Sequence, residues 1–383
     1  MVLKLLALNY EYPPIGGGGG NAHKQLLQEL TQFDDLLITL VTTTPKSEPY
    51  SDTLGRNIQA HFLPVPKKDL FYWRRSEVIR YLLVHYGFLQ NYLKKVPFDL
   101  CHVFFGFPTG LLGLLFHQQV PYLVSVRGSD VPGYNARFSW DYFFLKPFLK
   151  KIYQKSQAVV ANSQGLRHLF ESQYPTIPAS VIPNGVDTRL FLPAANKPAE
   201  PFSIVTVARL IPRKGIDVLI RACGLLEKAQ IPFQCHVVGD GPETSALKAI
   251  AQEEGIADKI LFYGQLEKWQ VSSVLAQGHL FVLPSYAEGM PNAALEAMAC
   301  GLPLILTDTG GSDELISGNG EIVPKGQVMP LFSTLHSLIV QPDLLREMSR
   351  QSRRLAEQMA WSQVANQYHD LYHEIVRDLN SPD

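Results

Sequence analysis

The chain has 383 residues, of which 46% are hydrophobic and 18% are charged. This length exceeds what one ordinary hydrophobic core supports, so we expect two domains. The formal net charge of −1 argues against a general nucleic-acid-binding protein, which would carry a strong basic excess. The four cysteines are scattered and form no C-x-x-C pair, so the sequence suggests neither a zinc site nor a disulfide framework.

The amino-terminal residues predict a β-strand rather than a targeting segment. Residues 2–8 are apolar, but they have neither a basic start nor a cleavage site. No uninterrupted apolar run of the sequence reaches the roughly 20 residues that a membrane span requires. We therefore expect a cytoplasmic protein.

Five consecutive glycines, Gly16–Gly20, lie between this strand and a helix predicted over residues 22–30. A second strand at residues 36–41 completes a βαβ unit. Glycines permit positive φ angles and let a ligand approach the backbone amides, which favours a phosphate or sugar site over a merely flexible loop. The spacing is not the dinucleotide-binding pattern in its usual context, because no acidic residue follows the second strand.

Two predicted helices of the first half, residues 71–95 and 140–155, are rich in aromatic and basic side chains. Such helices rest on an anionic membrane surface in some proteins. In others they bury their rings in the core while the basic side chains face water. The sequence leaves both alternatives open, so peripheral contact with the inner face of a membrane is one hypothesis for this protein.

A strand predicted at residues 122–126 runs into a polar turn that contains Arg127 and Asp130. Polar turns after central strands are where α/β sheets place ligand-binding groups, although Asp130 also suits an ordinary turn. Further along, residues 193–201 have the composition of a linker. We therefore predict a first domain at residues 1–193, a second at 202–356, and a C-terminal helix at 357–383 that packs back on the first domain.

The second half repeats the alternation of strands and helices. Strands are predicted at residues 203–208, 233–238, 260–264, 280–283 and 304–307. Strands that alternate with helices indicate a parallel sheet covered on both faces. The fold class is therefore α/β, with two doubly wound, Rossmann-like domains that we expect to face each other across a cleft.

The chemistry is predicted to centre on residues 285–301, which follow one of these strands. Glu288 lies in the loop after the strand, and Glu296 lies about one turn into a helix that begins near Pro291 and Asn292. A strand, a loop and a helix N-terminus form an anion site, and the two carboxylates can accept hydrogen bonds from hydroxyls. Arg209 and Lys214 follow another strand and can clamp a phosphate.

The ordered set of motifs resembles the retaining glycosyltransferases of family four, which have the GT-B fold. The resemblance covers nearly the whole chain. Its motifs are Gly16–Gly20, Ile182-Pro-Asn184-Gly-Val-Asp187, Val207-Ala-Arg209-Leu-x-x-x-Lys214-Gly215, Val238-Gly-Asp-Gly241-Pro, Glu288-x7-Glu296 and Gly310-Gly311-x-x-Glu314. A lone E-x7-E pattern is weak evidence, whereas the whole set in this order is specific.

The resemblance implies roles for individual residues. Glu296 would hold the nucleotide's ribose, while Arg209, Lys214 and Glu288 would act as catalytic residues on the diphosphate and the transferred sugar. The implied donor-binding set is Gly17, Gly18, Arg209, Lys214, Gly239, Tyr263, Glu288, Gly289, Met290, Pro291, Asn292 and Glu296. The acceptor would enter over Arg127 and Asp130. Many relatives carry His at position 127, and an arginine there cannot act as a base at neutral pH.

The resemblance implies transfer of a hexose-type sugar from a UDP- or GDP-sugar to a glycan, lipid-linked or small-molecule acceptor, as in polysaccharide biosynthesis. The chain has no D-x-D motif, so we expect neither a metal nor another cofactor, with Arg209 and Lys214 neutralising the diphosphate instead. Alternatives of similar architecture are a phosphorylase, a nucleotide-sugar epimerase and a sugar-binding protein without catalytic activity. The sequence names neither the sugar nor the acceptor.

Overall fold

The computed structural model describes residues 2–70, 72–128, 130–133, 139–197, 200–309 and 311–381, without the side chains of residues 139–144. Gly310 of the last motif, and Phe71 and the Trp140 side chain of the two aromatic stretches, therefore lie outside the described residues. The chain divides into two compact units. Residues 1–184 and 361–383 form the first unit, and residues 185–360 form the second.

The first unit is built on an eight-stranded sheet. Its strands are β1 (Leu3–Leu8), β2 (Leu36–Thr44), β3 (Tyr50–Gly55), β4 (Ile58–Pro64), β5 (Leu100–Phe104), β6 (Tyr122–Val126), β7 (Ala158–Ala161) and β8 (Ser180–Val181). Its first five helices are α1 (Gly18–Leu30), α2 (Arg75–Tyr92), α3 (Thr109–Phe116), α4 (Ser139–Lys155) and α5 (Gln164–Gln173). The strand order is β3-β4-β2-β1-β5-β6-β7-β8, and all neighbouring pairs are parallel except β3 with β4.

The second unit has a six-stranded, fully parallel sheet with the order β11-β10-β9-β12-β13-β14. Its strands are β9 (Phe202–Val207), β10 (Phe233–Val238), β11 (Ile260–Gly264), β12 (Leu280–Leu283), β13 (Leu304–Thr307) and β14 (Gly320–Val323). Its helices are α6 (Ile216–Lys228), α7 (Thr244–Glu253), α8 (Lys268–Gln277), α9 (Asn292–Ala299), α10 (Val328–Ile339) and α11 (Pro342–Gln358).

Both faces of the second sheet are buried, as continuous apolar strands require. Along β12, Leu280 and Val282 belong to one hydrophobic cluster, and Phe281 and Leu283 belong to a second one. Successive side chains of a strand point to opposite faces, so each face of the sheet has its own core. The prediction of parallel α/β units is confirmed.

The C-terminal helix α12 (Trp361–Asn380) belongs to the first unit, where it packs against α1. Its buried side chains, among them Trp361, Tyr368 and Tyr372, join the hydrophobic core of that unit. The second unit begins at Gly185, ahead of the predicted linker, because Val186 and Phe191 are buried in its core. The linker composition around residue 197 thus follows the first few residues of the second unit rather than preceding them.

Two local features differ from the sequence-based prediction. The antiparallel pair of β3 and β4 was not predicted, although it closes one edge of the first sheet. Helix α1 begins at Gly18 instead of residue 22, so three glycines of the run lie in its first turn. Within the described part of the chain, no helix combines the length and the apolarity that crossing a bilayer demands.

Candidate functional site

Strand order places the predicted donor-binding loops together at one edge of the second sheet. From the adjacent strands β9 and β12, the chain proceeds outward in opposite directions, to β10 and β11 on one side and to β13 and β14 on the other. Parallel α/β sheets bind ligands at the carboxyl ends of strands where the order reverses in this way. The loop that carries Arg209 and Lys214 follows β9, and the loop that carries Glu288 follows β12.

Backbone contacts fix the basic loop, residues 208–215, against its neighbours. Leu210 N donates to Asp240 O at 3.0 Å, and Tyr286 N donates to Arg213 O at 2.8 Å. At Gly215, φ is +63° and an added Cβ would lie 2.2 Å from Pro284 O. Only glycine fits this close approach, so the loops after β9 and β12 are held in one arrangement.

The Lys214 ammonium forms an ion pair with Glu288 Oε1. Ser285 Oγ also donates to that oxygen at 2.7 Å. The two charged side chains are only 16% and 9% exposed. Buried charges are stable only when they are paired in this way. Arg209, by contrast, is an exposed side chain of the same loop.

Glu296 lies on α9, where its side chain is partly buried. Desolvation raises the pKa of its carboxyl group to about 7, against the opposing effect of Lys268. The group therefore titrates near neutral pH. Helix α9 begins at Asn292, and Pro291 occupies the N-cap position without a side-chain hydrogen bond. The helix thus begins where the sequence predicts, at Pro291 and Asn292.

The other residues of the second unit that we predicted to contact the donor form two groups. Gly239 and Tyr263 are one group, and Gly289 and Met290 belong to the other. Gly239 N donates to Gly264 O at 2.8 Å, so the Gly239 turn and the neighbouring Tyr263 are brought together. The Tyr263 hydroxyl lies 2.8 Å from His236 Nδ1. Gly289 and Met290 are buried, and the Met290 side chain packs in the hydrophobic core. We therefore reinterpret the Met290 side chain as a core residue, which leaves its backbone for any ligand contact.

The glycine run of the first unit forms a turn around Glu11. Gly16 has a φ of +92°, and Gly17 N lies 3.4 Å from Glu11 Oε2. A Cβ at Gly17 would meet no atom within 4 Å, so the backbone is open beside this position and Gly18 starts the helix. Burial raises the pKa of the Glu11 carboxyl group. Sequence reasoning did not select Glu11, which no motif distinguishes.

The Asp130 carboxylate makes hydrogen bonds to the backbone of the first unit. Its two carboxylate oxygens accept hydrogen bonds from Gly106 N at 2.7 Å and Arg127 N at 2.8 Å, and the side chain is 3% exposed. Desolvation raises the pKa of this carboxyl group, and these backbone bonds oppose the shift. Both carboxylate oxygens thus accept bonds from backbone amides and hold the loop, and contact of Asp130 with an acceptor stays a prediction.

Arg127 is held by side chains from three parts of the first unit. Its Nη1 donates to Asn184 Oδ1 at 2.7 Å, its Nη2 donates to Tyr368 OH at 3.0 Å, and its guanidinium lies 4.2 Å from the centre of the Phe104 ring. The Asn184 contact gives the Ile182–Asp187 motif a structural role. The guanidinium is an anchored cation beside the predicted acceptor turn.

A buried polar network behind Arg127 was not predicted. Tyr368 OH lies 2.9 Å from Ser125 Oγ, which lies 2.7 Å from His102 Nε2, and His102 Nδ1 lies 2.7 Å from Tyr372 OH. Burial keeps the pKa of His102 well below its ordinary value, so the ring is neutral. The two tyrosines lie 243 and 270 positions from Ser125 and His102 in the chain, and no sequence pattern reveals such contacts.

Two family models match the chain in succession. The one described as Glycosyltransferase Family 4 matches residues 16–190, and the one described as Glycosyl transferases group 1 matches residues 188–355. An uncharacterized glycosyltransferase of Methanocaldococcus jannaschii is 24% identical over 379 residues, which are 98% of this chain and 99% of that protein. TuaC of Bacillus subtilis, a glycosyltransferase named for teichuronic acid biosynthesis, is 30% identical over 296 residues, which are 74% of this chain and 67% of TuaC. The chain belongs to glycosyltransferase family 4.

Solved structures show the fold of this family 4 chain. Sucrose-phosphate synthase from Thermosynechococcus elongatus superposes with a TM-score of 0.84 at 22% identity, covering 98% of this chain and 100% of that one. HepE of Anabaena, solved in complex with UDP-glucose, gives a TM-score of 0.70 at 18% identity and covers 97% and 100%. The GT-B prediction is confirmed, and the relatives confirm that this family 4 protein is a glycosyltransferase.

Proposed function

We propose that the protein is a retaining glycosyltransferase that moves a hexose-type sugar from a UDP- or GDP-sugar to a hydroxyl of a glycan, lipid-linked or small-molecule acceptor. The observation that carries this proposal is the arrangement at the β9 and β12 loops. The exposed Arg209 and the Lys214–Glu288 pair lie there, at the edge of the sheet where ligands bind. HepE, which shares the fold, was solved with UDP-glucose, and this supports a nucleotide-sugar donor.

The basic residues and the acidic residues of the site are proposed to bind different parts of the donor. As the bond between the sugar and the diphosphate breaks, negative charge accumulates on the leaving phosphate, and Arg209 and Lys214 stabilise it. Glu288 and Glu296 accept hydrogen bonds from sugar and ribose hydroxyls. The acceptor oxygen forms the new bond on the same face of the sugar, and its proton passes to the leaving phosphate. No protein nucleophile is needed for these steps.

A transfer assay separates this function from its alternatives. The protein is incubated with radiolabelled UDP- and GDP-sugars and a panel of candidate acceptors. Label in the acceptor, with the anomeric configuration of the donor preserved in the NMR spectrum, is the expected result. A donor converted to its epimer without an acceptor indicates an epimerase. Saturable donor binding without turnover indicates a sugar-binding protein. Either of these outcomes contradicts the proposal.

Transfer is proposed to be independent of metal ions, because Arg209 and Lys214 supply the positive charge. We expect turnover to survive dialysis against EDTA. Among the described residues, the group that could hold a metal ion contains Asp35, His369 and His373 and includes no predicted donor-binding residue. The assay is therefore repeated with an Asp35→Asn variant, so that loss of an ion at that group cannot be mistaken for loss of a catalytic ion. If EDTA abolishes turnover in this variant, the phosphate clamp is the wrong account.

Two helices of the first unit expose apolar side chains to solvent. Ile79 and Leu83 on α2 are 58% and 68% exposed, and Phe148 on α4 is 57% exposed between the exposed Lys146 and Lys150. Apolar side chains flanked by lysines are typical of helices that lie at a membrane interface. We include peripheral binding to the inner face of a membrane in the proposed function.

Vesicle sedimentation tests the membrane contact. The protein is expected to sediment with phosphatidylglycerol vesicles and not with phosphatidylcholine vesicles. An Ile79→Glu/Leu83→Glu variant should lose this binding while it retains donor binding. Equal sedimentation with both vesicle types, or binding that survives the double substitution, removes the membrane from the proposal.

A further inference from the structure

Two histidines and an aspartate converge on the surface of the first unit. His369 and His373 are four residues apart on α12, so they project from the same side of the helix. Asp35 immediately precedes β2. Its Oδ1 atom lies 3.0 Å from His369 Nε2, and its Oδ2 atom lies 3.1 Å from His373 Nε2. Each carboxylate oxygen therefore faces a different imidazole.

We propose that Asp35, His369 and His373 form a binding site for one zinc-type divalent metal ion, which fastens α12 to the start of β2. Imidazole nitrogens and a carboxylate oxygen are ligands that zinc prefers, at bond lengths of about 2.0–2.2 Å. Three such ligands around a tetrahedral ion lie about 3.4 Å apart. The three ligand atoms here all lie within 4.8 Å of one another, so small side-chain movements complete the site. Water fills the fourth position.

The surroundings of His369 hold its ring in place. The ring stacks on Phe33, with centroids 4.0 Å apart and an angle of 12° between the planes. On the opposite side of the imidazole, Asp370 Oδ1 lies 3.7 Å from His369 Nδ1. At this distance the exposed carboxylate makes no hydrogen bond to the ring, so the stacking on Phe33 is the contact that orients it. This arrangement directs Nε2 of His369 toward Asp35.

Asp35 lies within ion-pair distance of both rings, but only one of them makes a hydrogen bond to it. His369 Nε2 makes a hydrogen bond to Asp35 Oδ1. The His373 Nε2 atom is buried and has no hydrogen-bond partner among the described residues, although Asp35 Oδ2 is only 3.1 Å away. A buried polar atom without a partner is unfavourable. A shared metal ion would use this nitrogen as a ligand.

Metal binding is measured on the full chain after dialysis against EDTA. We expect titration with Zn²⁺ to saturate at one ion per chain and to raise the thermal unfolding temperature. Co²⁺ should give the visible absorption bands of a tetrahedral complex. Because a lost ligand costs at least as much affinity as a lost ligand-orienting group, Asp35→Asn and His373→Gln should each weaken binding by at least about 10-fold.

Matched controls come from the same protein. Asp34→Asn removes the adjacent, 85% exposed carboxylate, and His168→Gln removes an exposed histidine. Both control variants should bind Zn²⁺ like the wild type. His373 and Asp35 are partly exposed, so the ligand variants are expected to fold without metal. Measurement of either variant alone therefore tests the metal site. Absence of saturable binding, or equal loss in ligand and control variants, overturns the site, and neither result bears on sugar transfer.

Discussion

At the residue scale, the contact between Lys214 and Glu288 changes the interpretation of how these two side chains act in the candidate site. Sequence motifs suggested a phosphate clamp and a separate carboxylate that reads hydroxyls, whereas the structure pairs the two side chains with each other. The pairing explains how a largely buried carboxylate is stabilised in this loop. A bound diphosphate would compete with Glu288 for the Lys214 ammonium. It would thereby free the carboxylate for the hydroxyls of the sugar.

The raised pKa of Glu296 leads to a pH dependence of donor binding. Its carboxyl group has a pKa of about 7, so it is ionised at pH 8 and mostly protonated at pH 6. In its proposed role the ionised form would accept hydrogen bonds from both ribose hydroxyls, and the protonated form would lose part of that capacity. We expect donor affinity, measured by calorimetry, to fall from pH 8 to pH 6 by up to about tenfold, which is the change in the ionised fraction. A Glu296→Gln variant with the same pH dependence would show that another group is responsible.

At the scale of elements, the sequence predicted most strands and helices but not the contacts between their loops. Alternating apolar runs located β9, β10, β12 and β13 within one or two residues. Their lateral order could not be derived, because local periodicity carries no information about which strands become neighbours. The pairing of Lys214 with Glu288, 74 positions apart, depends on that order. The same reason explains why the contacts of Asp35 with α12 were not predicted.

The packing of the basic loop against the β12 loop is tested by two glycine substitutions. Gly215 and Gly255 have similar φ angles of +63° and +73°, but only Gly215 has a backbone oxygen, Pro284 O, in the place of an added Cβ. Gly255→Ala should lower the free energy of unfolding by about 1 kcal/mol through conformational strain alone. Gly215→Ala should lower it by at least about 2 kcal/mol, because the two loops must also separate.

Urea denaturation measures both variants, and donor affinity is measured in parallel. Only Gly215→Ala is expected to weaken donor binding, since Gly255 lies after α7 and outside the loops of the candidate site. Equal losses of stability in the two variants would mean that the contact with Pro284 O is not constraining.

At the scale of the whole molecule, the sequence predicted two α/β units, and the structure adds how the chain is divided between them. The first unit is discontinuous, since α12 returns to it after the second unit is complete. The sequence predicted that the C-terminal helix packs back on the first domain. It did not reveal that Tyr368 bonds to Arg127 or that the helix brings His369 to Asp35. The C-terminal helix thus helps to position a predicted acceptor residue of the first unit.

The central claim is that Arg209 and Lys214 bind the diphosphate of a nucleotide sugar. The donor is first identified by screening UDP- and GDP-sugars in thermal-shift assays. Its dissociation constant is then measured by calorimetry for Arg209→Ala and for Arg213→Ala. Both substitutions remove one arginine from the same loop, so net charge is matched. We expect Arg209→Ala to weaken binding by about 10- to 100-fold, the range for a lost charge-assisted hydrogen bond, and Arg213→Ala to bind like the wild type. Unchanged affinity in Arg209→Ala, or equal losses in both variants, would contradict the claim.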